Sequence, residues 1–199
     1  KAEPFRALGA RVAASAAEAA AGAEVVLSSL ANDAAVEEVV LGPGGVVEGL
    51  GAGAIHVATS TISPALSARL AQAHADKGQR YVAAPVLGRP PAAAQGQLFV
   101  MAAGEPETVD AARPVLEGLG QRLFVVGEKP EQAHVLKLCC NFLIFSTIEQ
   151  LGEVFALAQK GGLARETVFE VLTESFFTAP VHKNYGKLIV ERAWQPGVP

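Results

Sequence analysis

A lysine and an asparagine interrupt the apolar segment His134–Lys160, which has the composition of a long helix. Lys137 and Asn141 are four residues apart, so a helix places them on the same face. Hydride transfer to or from a carbon–oxygen bond requires a proton to be given to the oxygen or taken from it. A lysine can do both where a poorly solvated site favours its neutral form, and Asn141 can hydrogen-bond the substrate or the ammonium. Lys137 is therefore a candidate general acid/base. The alternative is a lysine in the first turns of a helix whose ammonium reaches water.

Two hydroxyl residues, Ser60 and Thr61, end the apolar segment Ile55–Thr61, which is typical of a buried strand. Parallel sheets bind ligands at the carboxyl ends of their strands, so this pair is a candidate ligand contact. The alternative is that the hydroxyls cap the helix that begins at Pro64.

Arg89 lies between Gly88 and Pro90 and is either a clamp for a substrate anion or an exposed loop residue. The four histidines show no metal-ligand spacing, and no metal site is expected. His134 lies three residues before Lys137, on nearly the same helical face, and is expected to be structural or to support the lysine.

The elements that would position these residues alternate between strands and helices. The patterns predict strands at Ala10–Ala14, Glu24–Leu30, Ile55–Thr61, Tyr81–Leu87, Gln97–Ala102 and Leu123–Val126. They predict helices at Lys1–Leu8, Ser15–Gly22, Asp33–Val40, Pro64–Asp76 and Glu105–Gly118. This alternation indicates an α/β fold with a doubly wound, mainly parallel sheet. Three helices follow: one of about 30 residues from Pro130, then Arg165–Glu174 and Phe176–Trp194. We therefore predict a partial dinucleotide-binding, Rossmann-like domain over residues 1–129, and a long interdomain helix with part of an all-α dimerisation or substrate domain over residues 130–199.

One glycine-rich segment, Gly49–Ala54, matches the dinucleotide-binding pattern Gly-x-Gly-x-x-Gly/Ala. A phosphate-binding loop must follow a strand and open a helix, because the pyrophosphate meets the helix N-terminus. Here the glycines precede the strand Ile55–Thr61, so we interpret them as a connecting turn. If the chain has a phosphate loop, we expect it before residue 1.

Composition narrows the range of partners. The net charge is −4 and no basic run is present, which disfavours nucleic acid and anionic membrane surfaces. The longest strongly apolar run, Leu138–Ile148, is shorter than the ~20 residues of a bilayer span. The two cysteines, Cys139 and Cys140, are adjacent and unsuited to pairing with each other, which fits a reducing cytoplasm.

Several segments together resemble the β-hydroxyacid dehydrogenases, the family of 3-hydroxyisobutyrate dehydrogenase and of tartronate semialdehyde and glyoxylate reductases. Ser60-Thr61-Ile62-Ser63-Pro64 is similar to the family's Ser-Thr-Ile-x-Pro, and Ala84-Pro85-Val86-Leu87-Gly88 to its substrate loop. Gly96–Gly104 resembles the strand that follows, and Lys137 with Asn141 resembles the Lys-x-x-x-Asn of its long helix. The similarity extends over essentially all 199 residues in one order.

The resemblance implies a role for each matched position. Lys137 would be the catalytic residue, and the substrate would be held by Ser60, Gly88 and Asn141. Leu30, Ala31 and Thr61 would contact the cofactor, NADP or NAD, with NADP preferred and Lys1 a possible neighbour of its 2′-phosphate. The resemblance also implies a small-molecule substrate and assembly of the protein into a homodimer or homotetramer.

Several positions depart from the family pattern, among them two in the substrate loop. Leu87 stands where the family usually has serine, and Arg89 where it has glycine. Arg89 could restore the carboxylate contact that the missing hydroxyl removes. The substrate is therefore open even if the reaction class holds.

Two further functions stay open beside the dehydrogenase. One is a non-catalytic dimerisation or binding module that keeps the fold. The other is an imine reductase, whose members share the architecture but usually lack a lysine at the position of Lys137.

Overall fold

The computed structural model describes residues 3–193, with side-chain burial from residue 5 onward. The helices are α1 Glu3–Arg6, α2 Ala16–Ala20, α3 Asp33–Leu41, α4 Val46–Gly49, α5 Pro64–Ala75, α6 Pro90–Ala94, α7 Pro106–Gly118, α8 Pro130–Lys160, α9 Arg165–Glu174 and α10 Pro180–Val190. The strands are β1 Val25–Ser28, β2 Ile55–Ala58, β3 Arg80–Ala83, β4 Val86–Leu87, β5 Leu98–Ala103 and β6 Gly120–Gly127. Lys1 and Trp194, which the sequence placed in terminal helices, lie outside the described residues.

The strands form a single sheet that is parallel at both ends and antiparallel in the middle. β1, β2 and β3 run parallel, β3 and β4 pair antiparallel with β5, and β6 runs parallel to β5. The predicted α/β, mainly parallel, Rossmann-like fold is confirmed. The reversal between β3 and β5 is a feature that the alternation of elements did not indicate.

The predicted strand Tyr81–Leu87 is interrupted but keeps one register. β3 pairs Ala83 with Ala103, and β4 continues along the same edge of β5 by pairing Leu87 with Phe99. Pro85 has no N–H to donate, yet its carbonyl accepts the Met101 N–H over 3.0 Å. The proline thus breaks the strand without shifting the ladder.

The predicted strand Ala10–Ala14 is wrong, because this segment has no regular structure and no partner strand among the described residues. Alanine is a poor strand former, so an unpaired segment of this composition has little reason to be extended in a sheet. The glycine-rich segment before β2 holds the short helix α4 and a turn in which Gly53 N–H donates to Gly78 O over 2.7 Å. It lies at the amino end of β2, so its interpretation as a connecting turn is confirmed.

Helices cover both faces of the sheet, each over its own apolar cluster. Alternate residues of β2 and β3 point to opposite faces: Ala58 and Tyr81 pack with helices α2 to α5, whereas Val57 and Val82 pack with α7. The first cluster also contains Ala133 of α8.

The chain divides into two compact units, residues 1–137 and 138–199. This division falls eight residues after the predicted boundary at 129/130, because the first two turns of α8 belong to the first unit through the buried residues Ala133, His134 and Lys137. In the second unit, α9 and α10 approach closely where Gly186 meets the Phe169 ring.

The apolar composition of α8 would suit a mostly buried helix, but much of its middle is exposed in this chain. Phe142, Leu143 and Phe145 are 70%, 65% and 67% exposed. By length and composition alone, α8 is a helix that could cross a membrane, although apolar helices of soluble proteins share those properties.

Candidate active site at the carboxyl ends of the parallel strands

Ser60 joins the loops that follow β1 and β2. Its hydroxyl oxygen accepts the backbone N–H of Leu30 over 2.7 Å, and the side chain is 3% exposed. The cap of α5 is Ser63, whose hydroxyl accepts the Leu66 N–H over 3.2 Å. The capping alternative for Ser60 is therefore wrong, and this hydroxyl belongs to the edge of the sheet where ligands bind.

A second connection between the same loops runs through Thr59 and Ser28. The carbonyl of Ser28 accepts both the backbone N–H and the hydroxyl of Thr59, each over 2.9 Å. The ends of β1 and β2 are thus held together by three hydrogen bonds that lie outside the regular ladder.

Asp33 links the start of α3 to the loop after β2. The N-cap residue of α3 is Asn32, whose side chain accepts the Ala35 N–H. The carboxylate of Asp33 instead accepts the Ser63 N–H over 3.0 Å.

His134 brings α8 to this region of the first unit. Its side chain is fully buried, and burial lowers its pKa to about 4, while the negative charge of Asp33 acts in the opposite direction. Within the described part of the chain, neither ring nitrogen has a hydrogen-bond partner. His134 is therefore a buried, neutral imidazole in the first turns of α8.

Lys137 follows His134 by three residues and is 9% exposed. A lysine is rarely so buried unless its ammonium is engaged, and Lys137 has an electrostatic or hydrogen-bonding interaction in the structure. Asn141 is half-buried and belongs to the second unit.

The residues expected to contact the cofactor lie at the ends of β1 and β2. Leu30 and Thr61 are half-buried, and Ala31 is exposed. These side chains offer apolar surface beside hydroxyl groups at the carboxyl edge of parallel strands, which suits a nicotinamide ring and its ribose. The residues present therefore fit a nicotinamide dinucleotide at this edge.

Gly88 and Arg89 follow β4, and both are exposed. Gly88 has φ of +137°, and a Cβ there would lie 2.6 Å from Leu98 Cδ2. Any side chain at this position would be strained. Arg89 is the N-cap residue of α6 and makes no side-chain cap hydrogen bond. Gly88 and Arg89 thus follow a different strand from Leu30 and Ser60, which come after β1 and β2.

Two cavities of the first unit lie elsewhere. One of 370 Å³ is lined by Gln79, Arg80 and Glu105, and one of 520 Å³ by Gly104, Arg113 and Val125. Both include residues at the carboxyl end of β5, and neither includes a predicted site residue. The volume of these cavities is weaker evidence for a binding site than the hydroxyl and apolar side chains at the carboxyl ends of β1 and β2.

Sequence reasoning missed a buried polar group behind this edge, formed by Ser28, His56 and His74. Ser28 Oγ lies 2.8 Å from His56 Nε2, and His56 Nδ1 lies 2.8 Å from His74 Nε2. A signal existed, because Ser28 and His56 interrupt two otherwise apolar strand segments.

Comparison with known families matches the whole chain in two parts. Residues 1–127 match the NAD binding domain of 6-phosphogluconate dehydrogenase, and residues 132–199 match the NAD-binding domain of NADP-dependent 3-hydroxyisobutyrate dehydrogenase. The chain belongs to the β-hydroxyacid dehydrogenase family. The expectation of a nicotinamide cofactor is confirmed at the level of NAD(P), since both matched models describe NAD-binding domains.

Individual relatives agree with this family. An oxidoreductase of Bacillus subtilis is 43% identical over 178 residues, covering 89% of this chain and 62% of the relative. The solved structure of Mycobacterium tuberculosis 3-hydroxyisobutyrate dehydrogenase with L-serine has a TM-score of 0.85 and 27% identity, covering 98% of this chain and 68% of that one. A Streptomyces aurantiacus imine reductase has a TM-score of 0.76 and 25% identity, covering 96% and 64%. The chain thus spans less than two thirds of the length of the Bacillus relative.

Proposed function

We propose that this chain is part of an NAD(P)-dependent oxidoreductase of the β-hydroxyacid dehydrogenase type, which transfers hydride between the nicotinamide and a small hydroxyacid or semialdehyde-like substrate. The observation that carries the proposal is the burial of Lys137, in the same unit as the Leu30–Ser60 pair. A charged residue retained in such surroundings suits a proton-transfer role better than a structural one.

In the proposed reaction the protein's own residues carry out the proton transfer. A bound nicotinamide would supply or accept the hydride. Lys137 donates a proton to the substrate oxygen during reduction and removes it during oxidation. Because Lys137 is buried, little water surrounds it, which strengthens its interaction with the charge that develops on that oxygen.

Substrate binding is assigned to Ser60, Gly88, Arg89 and Asn141. A hydroxyl has one donor and two acceptor sites, so Ser60 can accept the Leu30 N–H and also contact the substrate. The guanidinium of Arg89 is suited to a carboxylate. Leu30, Ala31 and Thr61 are assigned to the cofactor, for which NADP is preferred over NAD.

An imine reductase is the second candidate, favoured by the structural likeness to the Streptomyces enzyme. The buried Lys137 argues against it. A non-catalytic module with this fold would not need a buried lysine at all.

The test compares two lysines of α8 in the intact protein. Lys137→Met keeps the length and apolar stem but removes the proton, and is expected to lower kcat for a short hydroxyacid by about 10²-fold to 10⁴-fold, with cofactor affinity retained. Lys160→Met, in the last turn of the same helix, is the matched control and should keep full activity. Equal turnover of the two variants would refute the assignment. Activity on a cyclic imine, with none on any hydroxyacid or aldehyde, would favour the second candidate.

We further propose a cytoplasmic homodimer or homotetramer, in which a second copy covers the exposed apolar residues of α8. Large exposed apolar patches are rare on monomers. Light scattering of wild type and of Phe145→Asp is the test, and a monomeric wild type would contradict it.

A further inference from the structure

Four buried side chains form one continuous hydrogen-bonded chain beneath the candidate site. Ser28 Oγ lies 2.8 Å from His56 Nε2, His56 Nδ1 lies 2.8 Å from His74 Nε2, and His74 Nδ1 lies 2.7 Å from Gln79 Oε1. This series of hydrogen bonds connects the carboxyl end of β1 with the loop before β3. All four side chains are at least nine-tenths buried.

The far end of this chain fixes the direction of its hydrogen bonds. Gln79 Nε2 donates to Leu50 O over 2.6 Å and to Val47 O over 3.0 Å, so the amide nitrogen is committed to two carbonyls. Its oxygen must therefore be the atom that faces His74. Because an amide oxygen only accepts, the proton of that bond lies on His74 Nδ1.

The proton on His74 Nδ1 then determines which nitrogen donates and which accepts on both histidine rings. A neutral imidazole has one donor and one acceptor nitrogen, so His74 Nε2 accepts and His56 Nδ1 donates. His56 Nε2 is then an acceptor, and the Ser28 hydroxyl must donate to it. Both rings are Nδ1–H tautomers.

The surroundings keep both histidines neutral. Burial and the neighbouring His74 lower the pKa of His56 to about 3. Burial also lowers the pKa of His74, against the opposing effect of the Gln79 hydrogen bond. The Tyr81 ring packs against both imidazoles, with its centroid 5.5 Å from each.

The near end of the chain meets the loop that faces the cofactor edge. The side chain of Ser28 is directed by His56, and its carbonyl is held by the backbone and hydroxyl of Thr59. Leu30 is two residues further on and donates to Ser60. The segment from the end of β1 to Ala31 is therefore held at two points. The first is Ser28, which contacts His56 and Thr59, and the second is Leu30, which donates to Ser60.

We propose that His56 and His74 are positioning residues, which act as a proton-ordered pair to hold the Ser28 hydroxyl as a donor and so set the Ser29–Ala31 loop for cofactor binding. The loop's contact with the cofactor rests on the proposed function. The order of the protons does not.

The first test is ¹⁵N NMR of the imidazoles in wild-type protein at neutral pH, which needs no variant. We expect protonated Nδ1 and unprotonated Nε2 on both rings. A resonance pattern with Nε2–H on either ring overturns the proton order, whatever the enzyme's activity.

The second test compares Ser28→Ala with Ser28→Thr in the intact protein. Loss of the donor should raise the cofactor KM and Kd by about fivefold, the value of one hydrogen bond of about 1 kcal/mol, with little change in kcat. The threonine keeps a hydroxyl and should restore most of the affinity. Thr173→Val removes a buried hydroxyl from α9, where it donates to Phe169 O, and should leave cofactor KM unchanged.

The outcomes separate the two proposals. If wild type binds neither NADH nor NADPH in calorimetry, the proposed function fails and the positioning role fails with it, while the NMR result still judges the proton order. If wild type binds cofactor and Ser28→Ala binds it equally well, only the positioning role is refuted.

Discussion

The backbone N–H of Leu30 donates to the hydroxyl of Ser60 over 2.7 Å, although the two residues are 30 positions apart. Each follows the carboxyl end of a parallel strand. The bond therefore closes the gap between two loops at the edge where this sheet can bind a ligand.

Ser60→Ala should both destabilise the protein and weaken cofactor binding. The Leu30 N–H would lose its acceptor in a partly buried site, which costs about 1–3 kcal/mol. Urea unfolding and cofactor KM are the measurements. Ser15→Ala removes the exposed cap of α2 and is the control, with a cost of about 1 kcal/mol and no effect on KM. If KM changes equally in both variants, the Leu30–Ser60 bond has no special role.

Gly88→Ala should be poorly tolerated. Its φ of +137° is unfavourable for any side chain, and the new Cβ would meet Leu98. We expect a loss of about 1–3 kcal/mol in the free energy of unfolding. Gly118→Ala, at the end of α7 where a Cβ meets nothing within 4 Å, should instead stabilise by about 0.4–1 kcal/mol. Similar changes in the free energy of unfolding for the two variants would show that a side chain at Gly88 is not strained.

His134 should make stability depend on pH in the acidic range. Its folded-state pKa of about 4 lies below the unfolded value of 6.5, so between these values the unfolded chain binds a proton that the folded chain does not. Stability is complete above pH 6.5 and falls toward pH 4, by about 2 kcal/mol at pH 5 from this residue. Denaturant unfolding of wild type and His134→Leu at pH 7 and pH 5 measures the difference. A wild type that loses no more stability than the variant on acidification would exclude this role.

Arg89 should affect the substrate rather than the cofactor. Arg89→Ala is expected to raise KM for a carboxylate substrate by about tenfold, and Arg89→Lys should recover only part, since lysine keeps the charge but not the paired donors. The cofactor KM is the internal control. An unchanged substrate KM would make Arg89 an ordinary loop residue.

Sequence patterns predicted helices well where the residues that mark the two ends of a helix lie in the segment itself. Arg165–Glu174 was predicted with both of its ends correct, and the long helix begins at Pro130 and ends before Gly161 as expected. Proline at the start and glycine after the end are features of the segment itself.

Features that depend on distant partners could not be predicted in this way. A buried apolar strand has the same pattern whether its neighbour is parallel or antiparallel, so the reversal between β3 and β5 was not visible. The candidate residues Ser60, Lys137 and Arg89 could be singled out from their types and positions in the sequence, whereas the bond from Leu30 to Ser60 and the histidine pair depend on register. His56 and His74 meet only because β2 and α5 pack face to face.

The reversal at β5 also sets the order in which the sheet can form. β4 and β5 are joined by ten residues, 88–97, whereas 26 residues, 29–54, separate β1 from β2. Closing the shorter loop costs less entropy, and local contacts speed folding. Folding should therefore nucleate at the β4–β5 hairpin, with the parallel strands added later. In stopped-flow kinetics, Val100→Ala should mainly slow folding and Val57→Ala should mainly speed unfolding, and the reverse pattern would disprove this order. The cofactor edge would then be among the last parts of the sheet to form.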